Sequence, residues 1–393
     1  MGSPGQLHDD PSERLRDPES ERLHTRAQAF VRAFTERRTS PEPYDALAVD
    51  LARFQASRVP GLARLGRARG VDLARVTRAD ELPAVPTDAF RHMHLASFSP
   101  QAATITFRTS GTSSGARGAH AMRHTRTYDA GAVAFGRHAL FAGLGAPPHA
   151  IVLAPPPALA PDSSLGHMLA RFVAELCAPL AGAEAYFLGA PRDGAAVEVA
   201  VDALEARVAS LAARGEPAVV LGTSFAFVHL LDAIGGRALH LPPGSRLMQT
   251  GGFKGRSREI PAAELRAALA RAFGLPERAV VCEYGMTELS SQFYEGTLLA
   301  AGTPHGVYIE PPWARVVPVD PESLCPVPDG EIGLARIEDL LNVDSAFAVQ
   351  TQDQVRRVEG GFALLGRSPL APPRGCSIAI DELLGGARGA SEP

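Results

Sequence analysis

Lysine is almost missing from this sequence. Lys254 is its single lysine, and arginine supplies the rest of the 39 basic residues. A compact ammonium on a flexible stem is not interchangeable with a planar guanidinium. In a composition that uses arginine wherever charge alone is wanted, Lys254 becomes a candidate functional residue, in the run TGGFKGR at 250–256. The alternative is chance, since one lysine must fall somewhere.

Clustered cysteines and long apolar runs are also missing. The four cysteines show no C-x-x-C pair and no Cys/His cluster of zinc spacing, which favours free thiols in a reducing compartment. No run of eighteen apolar residues predicts a membrane span. The polar N-terminal run lacks the apolar region of a secretory signal. We therefore expect a cytoplasmic protein.

An excess of positive charge is absent as well. The formal net charge is −4, the isoelectric point is about 6.3 and the arginines are scattered, which argues against a nucleic-acid or anionic-membrane surface. A chain of 393 residues is long enough for two or three domains or lobes. Composition excludes little beyond this.

Strands and helices alternate along the middle of the chain. Apolar runs and periodicity predict strands at 103–108, 151–154, 185–188, 218–221, 246–250 and 279–284, and helices at 128–140, 165–176, 197–214, 225–234 and 261–273. Two earlier helices are expected at 21–38 and 44–65. Such alternation predicts an α/β fold with a largely parallel sheet covered on both faces, and ligands beyond the carboxyl ends of its strands.

The sequence pattern changes near residue 303, where short extended segments separated by prolines replace the alternating strands and helices. Strands are expected at 307–310, 314–317, 333–337 and 361–365. We divide the chain into a polar tail with an N-terminal helix (1–40), an α/β region (41–302) and a smaller β-rich C-terminal lobe (303–393).

A loop rich in hydroxyls and glycine follows the strand predicted at 103–108. Its candidate residues are Thr109, Ser110, Gly111, Thr112, Ser113 and Ser114. Small residues let backbone N–H groups turn toward an anion, and the hydroxyls add donors, so the loop favours phosphate binding. It is not a Walker A loop. A flexible surface turn remains the alternative.

A second motif, CEYGMTELSSQFY, spans residues 282–294. Tyr284 is placed to stack on adenine, Thr287 to donate to the α-phosphate and Glu288 to hold Mg²⁺, while Gly285 and Met286 form the turn between them. The two motifs together indicate an enzyme that uses ATP and Mg²⁺. The alternative for the second motif is a strand-to-helix turn with Thr287 as its N-cap.

Five runs in this order resemble a known family: LPAVPTDAF, RTSGTSSG, GTSFAFVHLLD, TGGFKGRSREIP and EYGMTELSSQFY. The family is that of the LuxE-type acyl-protein synthetases of bacterial bioluminescence, within the adenylate-forming superfamily, and the resemblance runs from about Leu82 to Cys376. It implies the N-terminal-domain fold of that superfamily and ATP-dependent activation of a carboxylic, fatty acid to acyl-AMP. It further implies acyl transfer through a cysteine to a partner, an acyl-protein reductase or a carrier protein.

The resemblance also assigns roles to particular residues. It places nucleotide and acyl group in region 41–302, with the phosphate loop at Thr109 to Ser114 and the adenine, phosphate and magnesium motif at Tyr284 to Glu288. Gly251 and Gly252 match a glycine pair whose backbone lies against the nucleotide. Asp353 matches the ribose-binding aspartate, Arg367 the basic hinge residue, and Cys376 in the C-terminal tail the acyl-accepting thiol.

Two departures from the family pattern concern lysines. The phosphate loop of most relatives ends in lysine, whereas here Arg117 stands nearby. Only 26 residues follow Arg367, so we expect the mobile C-terminal domain of the superfamily, which supplies a catalytic lysine, to be absent. Lys254 is therefore predicted to stabilise charge at the α-phosphate or the acyl carboxylate.

Two other functions stay open at this point. One is an acyl- or aryl-CoA ligase or an enzyme that loads a carrier protein. The other is a non-catalytic nucleotide-binding partner of a reductase. Histidines supply no clear catalytic pair, and we expect His92, His94, His120 and His124 to be satisfied surface or core residues.

Overall fold

The structure is a computed structural model that describes residues 17–109, 116–179, 182–189, 198–251, 260–300, 302–368 and 383. It begins with three helices, α1 (Pro18–Thr35), α2 (Tyr44–Arg58) and α3 (Pro60–Ala68). The Asp17 side chain caps α1 by accepting from the N–H groups of Glu19 and Ser20. The single helix predicted at 44–65 is split, because Pro60 lacks an N–H and starts a new helix instead.

Thirteen strands appear in the described residues. They are β1 (Val85–Pro86), β2 (Ile105–Arg108), β3 (Ala119–Met122), β4 (His149–Leu153), β5 (Ala218–Thr223), β6 (Arg246–Thr250), β7 (Val280–Tyr284), β8 (Phe293–Glu295), β9 (Val307–Ile309), β10 (Ala314–Val319), β11 (Ile332–Asp339), β12 (Ala348–Val358) and β13 (Gly361–Arg367). Strands β2 and β3 form a separate hairpin. The others form one sheet in the order β10-β11-β12-β13-β9-β8-β7-β6-β5-β4, with β1 paired to β12.

Five further helices cover the parallel part of the sheet, β4 to β7. They are α4 (Arg126–Ala139), α5 (Ser164–Leu176), α6 (Val201–Arg214), α7 (Ser224–Ile234) and α8 (Ala262–Phe273). Successive strand residues face opposite ways, so Val152 and Val219 join a core with α4 and α5, whereas Ile151 and Val220 join one with α6 to α8. The predicted α/β fold, with helices on both faces, is confirmed.

The chain reverses after β7, and the strands from β8 to β13 pair in antiparallel fashion, while β1 runs parallel to β12. The strands predicted at 307–310, 314–317, 333–337 and 361–365 are found as β9, β10, β11 and β13. They continue the same sheet across residue 302, so the proposed lobes share one sheet. The continuous strand predicted at 185–188 is wrong: a 3₁₀ turn spans Gly182–Ala185, and the segment forms only two isolated bridges, Tyr186 to Val152 and Leu188 to Val199.

None of the helices in the described part of the chain is both long and apolar enough to cross a membrane.

Candidate active site

The carboxyl ends of the parallel strands meet at one edge of the sheet. Thr223, Thr250 and Glu283, the latter from the second motif, are register partners across β5, β6 and β7. The Ser224 hydroxyl donates to the carbonyl oxygen of Gly251 at 2.9 Å. Gly251 has φ +73°, a left-handed conformation that favours glycine. Its partner Gly252 lies outside the described residues, as does Lys254.

The predicted phosphate loop connects the two strands of the β2–β3 hairpin. Arg108 pairs with Ala119 in the last register position before the loop. Beyond it, the N–H of Thr109 donates to the carbonyl of Gly118 at 2.9 Å, and the N–H of Gly118 donates to Thr109 Oγ1 at 2.9 Å. Thr109 therefore closes the neck of the loop. Ser110, Gly111, Thr112, Ser113 and Ser114 lie outside the described residues.

Arg117, the residue near the position where relatives carry lysine, braces the same neck. Its Nε donates to the carbonyl of Thr109 at 2.6 Å, its Nη2 to that of Arg108 at 3.2 Å, and its Nη1 to Asp162 Oδ2 at 2.7 Å. The N–H of Arg108 also donates to the Asp162 carbonyl at 2.9 Å. A guanidinium fork serves this bracing role better than an ammonium.

Thr287 lies in the motif loop, defined here as residues 285–292 between β7 and β8. No helix follows Thr287, so the alternative of a helix N-cap is wrong. His120 Nδ1 donates to the carbonyl of Thr287 at 2.8 Å. The hydroxyls of Thr287 and Ser164, the first residue of α5, are 3.4 Å apart. The Thr287 side chain thus lies against the start of α5.

Buried polar groups hold the rest of the motif loop. Asn342 Nδ2 donates to the carbonyl of Glu288 at 3.0 Å. Asp339 accepts from the N–H of Ser290 at 2.9 Å and from the Ser291 hydroxyl at 2.7 Å, and burial raises the pKa of Asp339 to about 6. These hydrogen bonds fix the motif loop, which has no regular secondary structure, at Glu288, Ser290 and Ser291.

Glu288, the predicted magnesium ligand, lies beside the hairpin neck. It is 8% exposed, and a Cβ placed on Gly118 would be 3.6 Å from its Oε1. The fold therefore brings the second motif against the base of the phosphate loop, as the two motifs together predicted. Among the described residues no group of three or more His, Cys, Asp or Glu side chains could hold a metal. Glu288 fits Mg²⁺ as a single hard ligand, since this ion is usually bound by one or two carboxylates together with phosphates and water.

Tyr284 and Asp353, predicted separately to bind adenine and ribose, meet directly. The Tyr284 hydroxyl donates to Asp353 Oδ2 at 2.8 Å. Burial, followed by the charge of Asp353, raises the pKa of Tyr284 well above its usual value, so the phenol keeps its proton. Asp353 is the register partner of Arg367 across β12 and β13. Arg367 therefore lies beside Asp353 in the sheet.

The Tyr284 ring belongs to an aromatic cluster. Its centroid lies 6.1 Å from those of Phe293, Tyr308 and Phe362, and the residue is 9% exposed. These contacts fix the ring plane beside Asp353. They also leave only a small part of the ring exposed.

Sequence reasoning missed Glu283, which is 6% exposed and lies under the turn at Gly285. The Thr250 hydroxyl donates to it, and a Cβ on Gly285 would overlap its Oε1. Burial raises the pKa of Glu283 to about 7, while the hydrogen bond from Thr250 lowers it. The sequence could have indicated this residue, because a carboxylate near the carboxyl end of an otherwise apolar strand is unusual.

A second buried polar cluster lies at the far end of β3, and we call it the Asp344 cluster. Asp344 accepts from Ser20 Oγ at 2.9 Å, from His24 Nε2 at 2.9 Å and from Arg123 Nε at 3.2 Å, and also from the Ser97 hydroxyl. Burial by itself would raise the pKa of Asp344. The hydrogen bond and charge of His24 and the charge of Arg123 outweigh it, so the pKa lies well below its usual range.

Cys177, Cys282 and Cys325 are free thiols among the described residues, and of the four histidines expected to be satisfied, His124 has a buried Nδ1 without a hydrogen-bond partner in that part of the chain. Cys282 is largely buried, and burial raises the pKa of its thiol to about 11, which agrees with a structural role. His120 is a core residue and His92 and His94 are exposed. Cys376 lies outside the described residues.

One family description, "Acyl-protein synthetase, LuxE", matches residues 69–384, which is most of the chain. No protein with a curated description matches the chain. Similar solved structures include a 2-hydroxyisobutyryl-CoA ligase in the postadenylation state with 2-HIB-AMP. It is 15% identical, with a TM-score of 0.58, over 93% of this chain and 72% of that one.

An open conformation of the same ligase, with 2-HIB-AMP and CoA, gives a similar result. The identity is 15% and the TM-score 0.55, over 84% of this chain and 76% of that one. At this identity the likeness concerns the fold alone. It is the fold that the sequence motifs predicted.

Proposed function

Because the chain belongs to the acyl-protein synthetase (LuxE) family and is thus an ATP-dependent ligase, we propose that it activates a fatty acid to acyl-AMP and passes the acyl group to a protein thiol. The observation that supports this best is the convergence of Thr287, Glu288 and the Thr109–Gly118 neck at one place. We assign the nucleoside to Tyr284 and Asp353, which are joined by a hydrogen bond.

In the proposed first step, a carboxylate oxygen of the acid attacks the α-phosphorus of ATP. The bond from that phosphorus to the bridging oxygen breaks, and pyrophosphate leaves with the electron pair. The Thr287 hydroxyl donates to an α-phosphate oxygen, and Lys254 stabilises the negative charge that develops there. Glu288 would hold Mg²⁺, which when bound neutralises charge on the phosphates.

The proposed second step is thioester formation. The thiolate of Cys376 attacks the acyl carbon, the bond to the AMP oxygen breaks, and AMP leaves. The N–H of Ser368 donates to the carbonyl of Gln352, the neighbour of Asp353, at 2.9 Å. Cys376 follows eight residues later in the sequence.

The chain is fixed again after Cys376. Leu383 is fully buried, and Arg64 Nε donates to its carbonyl at 3.0 Å. Cys376 precedes this anchor by seven residues in the sequence. We propose that this thiol accepts the acyl group from its own active site before a reductase or carrier protein receives it.

Pyrophosphate exchange into ATP tests the first step. Purified protein with Mg²⁺ and a panel of fatty and aromatic acids should show exchange that depends on the acid, strongest with fatty acids. Exchange with aromatic acids alone would overturn the fatty-acid assignment. ATP binding without exchange for any acid would instead support a non-catalytic partner of a reductase.

Labelled acid tests the acceptor. Wild-type protein should retain the acyl group after denaturation, and Cys376→Ser should lose it while pyrophosphate exchange continues. Cys325→Ser is the matched control, because Cys325 is an exposed thiol elsewhere. Transfer to CoA or to a carrier protein by Cys376→Ser at the wild-type rate would contradict the proposed acceptor.

A further inference from the structure

His120 connects the two segments that the proposed function assigns to phosphate. It lies on β3, the second strand of the hairpin that carries the phosphate loop. Its Nδ1 lies 2.8 Å from the carbonyl oxygen of Thr287 in the motif loop. The two residues are 167 positions apart in the sequence. His120 is 1% exposed and packs edge-on against Phe90, with ring centroids 5.7 Å apart.

The partner atom fixes the tautomer of this imidazole. A carbonyl oxygen only accepts, so Nδ1 must carry the hydrogen and Nε2 keeps its lone pair. Burial lowers the pKa of His120 to about 4, so the ring is neutral in the ordinary working range of pH. The hydrogen bond therefore has one defined donor and does not depend on a charge.

The hydrogen bond from His120 matters because its acceptor is a backbone oxygen of the motif loop. The Thr287 carbonyl belongs to the planar peptide that joins Thr287 to Glu288. A donor on that oxygen sets the orientation of the whole peptide, and with it the Cα positions of both residues. On the other side, the Thr287 hydroxyl lies 3.4 Å from that of Ser164. The residue proposed to contact the α-phosphate is thus held through its backbone by β3.

We propose that His120 is a positioning residue for adenylation, which holds Thr287 and Glu288 at a fixed place relative to the phosphate-loop hairpin. This rests on the proposed function, since it assumes that both segments contact the phosphates. His120 itself does not touch the reacting atoms. It acts through the Thr287–Glu288 peptide.

The experiment compares two variants of His120. In His120→Asn the side-chain amide can place a donor near the position of Nδ1, whereas His120→Leu fills space without a donor. For His120→Leu we expect kcat of acid-dependent pyrophosphate exchange to fall about ten- to hundredfold, the effect of losing one buried hydrogen bond in a polar site. KM for ATP should rise less than kcat falls. His120→Asn should recover to within about threefold of wild type.

Thr297→Val is the matched control. Thr297 is 4% exposed, and its hydroxyl also donates to a backbone carbonyl, that of Arg278 at 2.9 Å, just before the amino end of β7 and so at the other end of that strand from the motif loop. Its loss should lower the thermal midpoint about as much as His120→Leu does and leave exchange unchanged. A folded His120→Leu with exchange within twofold of wild type would overturn the proposal. So would equal activities of the Asn and Leu variants, or an equal loss in Thr297→Val.

Failure of the positioning role and failure of adenylation can be told apart. If wild-type protein shows no exchange with any acid, the proposed function fails. The tautomer is then read by nitrogen NMR of His120 with and without ATP and Mg²⁺. Retention of the Nδ1–H form, with weaker Mg·ATP binding in His120→Leu than in His120→Asn, would still support the positioning of the phosphate segments. Equal binding would overturn it.

Discussion

Asp344 and Glu283 are equally buried, each with 6% of its surface exposed, but their surroundings differ. Asp344 lies among Arg123, His24 and the hydroxyls of Ser20 and Ser97. Glu283 accepts from the Thr250 hydroxyl at the edge of the active site. Burial alone would raise the pKa of both groups. The pKa of Asp344 is instead held well below its usual range, whereas that of Glu283 rises to about 7.

The difference separates two uses of a buried carboxyl group. The Asp344 cluster is an ionised network that joins α1 to the end of β3 and to the loop before β12, over a sequence separation of 320 residues between His24 and Asp344. It belongs to the framework behind the site. Glu283 lies where a nucleotide and an acid are proposed to bind, and its charge changes near neutral pH. Burial disfavours the charged form of both groups; the partners of Asp344 outweigh this effect and keep it ionised, whereas the single hydrogen bond to Glu283 does not.

Asp344→Asn tests the role of the Asp344 cluster and should have the largest effect on the free energy of unfolding. It removes the charge that compensates the buried Arg123, and breaking such a pair costs about 3–5 kcal/mol of unfolding free energy. Urea denaturation followed by circular dichroism measures this loss. Glu175→Gln is the control, since Glu175 pairs with Arg171 at the surface and its loss should cost less than about 1 kcal/mol. Equal losses in the two variants would contradict the assigned role.

Glu283→Gln tests the other side of the comparison through pH. The folded-state pKa of Glu283 is about 7 against an ordinary 4.5, so the folded protein binds the extra proton between these values. The stabilisation that the protonated form provides is fully present below about pH 4.5 and is lost as pH rises through 7. Glu283→Gln should abolish that loss. Between pH 5 and pH 8, its unfolding free energy should fall by about 2–3 kcal/mol less than that of wild type.

Asp344 contributes to the pH dependence of stability with the opposite sign to Glu283. Its folded-state pKa is lowered, so its stabilisation is present above the unfolded-state pKa and lost as pH falls below it. A wild-type profile of stability against pH should therefore decline on the acid side because of Asp344 and toward neutral pH because of Glu283. A Glu283→Gln profile that follows the wild type from pH 5 to pH 8 would show that Glu283 is ionised throughout.

Local patterns in the sequence predicted the parallel half of the molecule well. Buried apolar runs mark β4 to β7, and 3.6-residue periodicity marks the helices that cover them. Strand β12 was missed although it is eleven residues long, because its sequence AVQTQDQVRRV is largely polar. Its pairing with β11 and β13 overrides that composition. It is this strand that brings Asp353 to Tyr284.

The motifs predicted which residues form the candidate site, but not what holds them. Thr287 and Glu288 were found from a five-residue pattern. The donor from His120 and the acceptor Asp353 for Tyr284 lie 167 and 69 positions away, and no local pattern encodes such pairs. Glu283 was overlooked for a similar reason. Its raised pKa results from the packing of α/β layers around the end of β7, which only the folded chain defines.

Thr250→Val sharpens the comparison of Glu283 with Asp344 and should have the smallest effect on the free energy of unfolding. It removes the hydroxyl that donates to Glu283 and keeps the branched shape of the side chain on β6. That hydrogen bond lowers the pKa of Glu283, so its removal should raise the pKa further and shift the loss of stability to higher pH. The unfolding free energy at pH 8 should fall by about 1 kcal/mol, the usual net value of one hydrogen bond, and by less at pH 5. In a Glu283→Gln background the substitution should no longer depend on pH. If the dependence persisted there, a group other than Glu283 would be titrating at this edge of the sheet, and the contrast with Asp344 would have to be assigned to that group instead.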